Sequence, residues 1–152
     1  LFELAREHAD RGRTAAAVTA AAEYVRAARA ARGKSPHGDP APLTRAGRLL
    51  LTAGAPAAAE PYLRECLAVL REGSADGQGR PFVAAAECLV GAALLRQGKL
   101  TEAEPLLVGG YRGLDPAGII PADGWVRQRE AGRWLVDLYT NWGKPADAQR
   151  WR

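Results

Sequence analysis

The side chains best suited to nucleophilic or metal chemistry in this 152-residue chain are His8, His37, Cys66 and Cys88. Their placement argues against both. A zinc site wants four closely grouped thiols and imidazoles in paired spacing, whereas the two cysteines lie in separate segments without CxxC spacing and His37 falls in the loop-like stretch SPHGDP, 35–40. His8 lies on the apolar side of a helical pattern, with no triad partner nearby in sequence. The carboxylates Glu102 and Glu104, and Glu60 and Glu65, lie on helical segments and read as caps and surface charges rather than an acid and base pair. The cluster GGYRG, 109–113, lacks the preceding strand and the lysine of a phosphate loop and reads as close packing near a helix end. No catalytic, cofactor-binding or metal-binding residue is assigned, no cofactor is called for, and the chain is not expected to be an enzyme.

The elements that carry these residues are helical. Apolar residues make up 47% and charged residues 25%; alanine and leucine dominate the apolar share, which favours helix, and no long apolar and polar alternation specifies a strand. The net charge of +4 arises from arginines scattered along the chain, not from a basic block, so no specific nucleic-acid binding is expected. No apolar run approaches the ~20 residues of a membrane span, no signal peptide is evident, and two unpaired cysteines suit a reducing, cytoplasmic setting. The chain opens at Leu1 already inside a helical pattern, as expected of a piece of a longer protein.

A repeat organises the chain. Gly12, Gly54, Gly98 and Gly143 are spaced by 42, 44 and 45 residues, and each is followed five residues later by an alanine: Ala17, Ala59, Ala103 and Ala148. Four residues before each glycine stands a large side chain, His8, Leu50, Leu94 or Tyr139. Seven before stands a small one, Ala5, Gly47 or Gly91, with Val136 the exception. Nine after come Ala21, Leu63, Leu107 and Arg152. The segments TAGAPAAAEPYL, 52–63, and RQGKLTEAEPLL, 96–107, match best.

Each unit reads as two helices about a tight turn, with glycine supplying the left-handed residue that ends the first helix. Thr101 and Glu104 have the spacing of a capping box, Thr14 is the corresponding cap in the first unit, and Pro61 and Pro105 mark the start of the second helices. Buried stripes are expected at Leu43, Ala46, Gly47 and Leu50, at Ala86, Leu89, Val90, Ala93 and Leu94, and at Ala131, Leu135, Leu138, Tyr139 and Trp142, with Asp123 capping the last long helix after Pro121.

These registered copies resemble the tetratricopeptide repeat family, in the long-repeat variety of kinesin light chains and many bacterial proteins. The segments GKLTEAEPLL, 98–107, and LVDLYTNWGKPADAQRWR, 135–152, resemble the end of the repeat region of bacterial serine/threonine protein kinases. No glycine-rich loop, HRD or DFG element of the kinase domain is present. The resemblance implies an all-α fold, an α-solenoid of about four antiparallel helical hairpins, in a single domain over 1–152 with units near 1–32, 41–72, 81–114 and 122–152, at the tail of a longer array.

It further implies a protein-binding scaffold in which first helices line a concave groove that holds a partner peptide or helix. Carried over by distance from the turn glycine, the groove positions are Arg6, Thr44, Arg48, Leu51, Cys88, Ala92, Arg96, Arg133, Asp137, Thr140 and Asn141. The recurrent arginines would favour an acidic peptide or a terminal carboxylate. The other role open to the chain is structural: a dimerisation segment bracing a neighbouring domain such as a kinase. Contact would then run through the C-terminal end, where Trp125, Trp134, Trp142 and Trp151 crowd together. Trp142 is expected in the core.

Overall fold

In the computed structural model, residues 1–32, 38–74, 79–114 and 126–152 are described. Among them are eight helices and no strand. They are α1 (Phe2–Asp10), α2 (Thr14–Arg32), α3 (Pro40–Thr52), α4 (Pro56–Gly73), α5 (Arg80–Arg96), α6 (Leu100–Gly113), α7 (Gln128–Asn141) and α8 (Pro145–Arg150). His37, Pro121, Asp123 and Trp125, singled out by sequence, lie outside the described residues.

The glycine ruler has one structural cause. Gly12, Gly54, Gly98 and Gly143 have φ of +67°, +74°, +75° and +72°, the left-handed region in which a Cβ is strained. At each turn the residue after the glycine donates its amide to the carbonyl four residues before the glycine: Arg13 to His8 (2.8 Å), Ala55 to Leu50 (2.8 Å), Lys99 to Leu94 (3.0 Å) and Lys144 to Tyr139 (2.8 Å). The glycine amide itself reaches the carbonyl of Ala9, Leu51, Leu95 or Thr140. This is the Schellman pairing that satisfies carbonyls left over at a helix end, and it occurs four times.

Each turn folds two helices onto one another, and each second helix then packs on the next first helix, so that α1 to α8 associate as sequence neighbours. First helices also touch directly, α1 with α3, α3 with α5 and α5 with α7. The alanines five residues after the glycines are all buried, as are Leu63 and Leu107. Helix α5 is enclosed by α3, α4, α6 and α7, and residues 84–86 and 88–95 are all buried. A helix apolar on every side has this interior position. Gly110 lets α6 approach it, since a Cβ there would lie 2.7 Å from the Ala84 carbonyl oxygen and 2.5 Å from Cys88 Sγ.

Several local expectations change. Thr101 and Glu104 make no capping box: Ala103 already donates to the Lys99 carbonyl (3.0 Å), so α6 starts before Thr101, and no side chain caps it. Glu104 instead accepts from the Tyr139 hydroxyl at 2.7 Å. Thr14 is the first residue of α2 and donates across the stack to the Ala53 carbonyl at 3.0 Å. Pro61 and Pro105 lie inside α4 and α6, which start at Pro56 and Leu100; each gives up the bond its missing amide would have made. Asp39, unassigned by sequence, caps α3 by accepting from the Ala41 amide at 3.1 Å.

Candidate functional site

The expected groove residues divide into three groups. Thr44, Leu51, Cys88 and Ala92 are at most 4% exposed, so they form core and cannot line a binding face. Thr44 Oγ1 donates to the Pro40 carbonyl at 2.9 Å and sits 3.1 Å from Cys66 Sγ. Burial pushes the Cys66 and Cys88 thiols up to about 11 and about 12, which keeps both neutral and unreactive at ordinary pH.

A second group has side chains engaged within the chain. Arg48 of α3 makes a forked pair with Glu130 of α7, Nη2 lying 2.7 and 2.9 Å from the two carboxylate oxygens. This contact spans from the second hairpin to the fourth. Arg96 Nη1 donates to the Leu51 carbonyl near the end of α3, and Arg6 pairs with Glu3 on its own helix. Arg6 and Arg48 line a cavity of about 560 Å³ between α1 and α3, together with Glu3, Asp10, Arg45 and Phe2. Charges there are largely balanced, and the Arg45 guanidinium sits 5.9 Å from the centre of the Phe2 ring.

The third group is exposed: Arg133, Asp137, Thr140 and Asn141. Arg133 and Asp137 open into a cleft of about 1030 Å³ between α6, α7 and the residues that follow α8, which also contains Arg127, Arg129, Arg152, Tyr111 and Trp151. The four arginines have no ion-pair partner among the described residues. Trp151 and Tyr111 meet edge to face, with ring centres 5.0 Å apart, so this tryptophan is turned inward. Gln128 fixes the cleft wall by donating to the carbonyls of Tyr111 and Leu114 (both 3.3 Å). Sequence reasoning located Arg133 and Asp137 but missed Arg127, Arg129, Arg152 and Tyr111. The close run Arg127, Arg129 and Arg133 was a visible signal, but Tyr111 reaches the cleft only through tertiary packing.

Trp134 belongs to the core, while Trp142 is half-buried at its edge with Lys144 Nζ 3.8 Å from its ring centre. Among the described residues no three His, Cys, Asp or Glu side chains gather as a metal-binding group, and no helix is long and apolar enough to cross a membrane.

Compared with protein-family models, curated proteins and solved structures, the chain matches none. Helices packing in neighbouring pairs, with one turn geometry repeated four times, therefore carry the structural argument.

Proposed function

We propose that this chain is a non-enzymatic protein-binding scaffold, a tetratricopeptide-like solenoid that holds an acidic segment of a partner protein. The observation that carries the reading is the pairing of a repeated, glycine-punctuated helical framework with surface arginines that have no carboxylate partner among the described residues. Stacked hairpins provide extended surfaces whose scaffold residues are separable from their contact residues, and guanidinium groups recognise carboxylates through forked bonds. Two buried, free thiols fit a reducing, cytoplasm-like compartment.

The test is equilibrium binding to immobilised peptides of acidic, neutral and basic composition, matched in length and apolar content. Selective retention of acidic peptides, weakened by salt, is expected. Equal retention of all three sets, or of none, would overturn the reading.

A further inference from the structure

We propose that the cleft between α6, α7 and the residues that follow α8, rather than the cavity between α1 and α3, is where this protein grips an acidic peptide segment of its partner. The inference rests on the scaffold reading above and assigns its contact surface.

Charge separates the two concavities. Between α1 and α3, Arg6 is paired with Glu3 and Arg48 with Glu130, and Arg45, over the Phe2 ring, is the one guanidinium of that lining without an ion pair among the described residues. In the cleft, Arg127, Arg129, Arg133 and Arg152 share the lining with one carboxylate among the described residues, Asp137, and none has an ion pair with a described residue. A ligand carboxylate there gains charge-assisted bonds without displacing an ion pair between described residues.

Size and shape point to a peptide. The volume, about 1030 Å³, reaches the upper end of what small ligands fill. Tyr111, Trp151 and Val136 supply an apolar wall beside the guanidinium groups, a combination that suits a segment with carboxylates on one side and a leucine or aromatic side chain on the other. Asp137 repels carboxylates and phosphates alike, and a peptide can offer it a backbone amide.

The experiment uses a fluorescein-labelled, glutamate-rich peptide of about twelve residues with leucines on its opposite helical face, titrated with the whole chain by fluorescence anisotropy. Arg129→Glu with Arg133→Glu should weaken binding at least about tenfold. The same charge change at Arg13, just before α2, and Arg26, within it, should weaken it much less, and helicity by circular dichroism should be unchanged in both. Arg133→Gln, a milder change, should weaken binding in the same direction and keeps the test decisive if the double variant fails to fold. Greater loss from Arg6→Glu with Arg45→Glu than from the cleft variants would overturn the placement while leaving the scaffold reading intact. Absence of binding by the unaltered chain would overturn both. Tighter binding of a single-stranded oligonucleotide that displaces the peptide would overturn the peptide assignment in favour of nucleic acid.

Discussion

Leu63 of α4 lies directly over the backbone of Gly47 in α3: a Cβ on residue 47 would fall 2.5 Å from Leu63 Cγ. The next hairpin repeats the relationship, with a Cβ on Gly91 falling 2.7 Å from Leu107 Cγ. In the first hairpin the same two register positions hold Ala5 and Ala21, both buried. In the two central hairpins, the small residue before the turn and the larger one after it are thus two halves of a single packing contact.

Gly47→Ala should therefore destabilise the protein by about 1–3 kcal/mol through overpacking, and Leu63→Ala by about 2–5 kcal/mol through the cavity it leaves. Combined, the two should cost clearly less than their sum, because the added methyl occupies space that the leucine vacates. Urea denaturation of the four proteins in a double-mutant cycle measures this; strict additivity would refute the shared contact.

Gly98→Ala tests the turn separately. No atom lies within 4 Å of a Cβ at Gly98, so the cost comes from the left-handed backbone alone, about 1–2 kcal/mol. Gly98→Asn should cost less than Gly98→Ala, because asparagine tolerates that region. Thermal melts of the two variants give the order.

The Arg48 and Glu130 pair joins α3 to α7, and both side chains are about a third exposed, 31% and 32%. Its coupling energy should be modest, on the order of 0.5–1 kcal/mol, and should shrink as salt is raised. Reversing both charges, with Arg48→Glu and Glu130→Arg, should recover part of what either single reversal loses. Chemical denaturation at low and high ionic strength reads the difference.

Glu60 sets an expected pH dependence. Its carboxylate is held down at about 2, chiefly by the Gln97 side-chain hydrogen bond and then by Arg64 and Lys99, against the opposing effect of burial. The Gln97 bond is 2.8 Å and ties α4 to the turn after α5. Because the folded value lies below the ordinary one, this stabilisation is present above about pH 4.5 and is lost as pH falls toward about 2. Glu60→Gln should lower the melting temperature at about pH 6, with a cost of about 1–3 kcal/mol, and should flatten the fall between about pH 5 and about pH 3. A parallel fall in variant and parent would show that Glu60 does not carry it.

The sequence by itself determined the parts of this protein that depend on local backbone. A glycine that must adopt positive φ and the carbonyl it leaves to be satisfied lie within six residues of one another, so the turns at Gly12, Gly54, Gly98 and Gly143 and the helices on either side could be read from spacing. The buried stripes of α3, α5 and α7 followed from helical periodicity for the same reason. Tertiary structure alone decided which polar and apolar side chains remained free. Thr44, Leu51, Cys88 and Ala92 occupy first-helix positions resembling groove positions, yet α3 and α5 are covered by neighbours on so many sides that all four are core. Arg48 found Glu130 two hairpins away, and Glu104 found Tyr139 instead of its own helix start. Such partners are distant in sequence and meet only when helices stack, so no spacing rule along the chain could supply them.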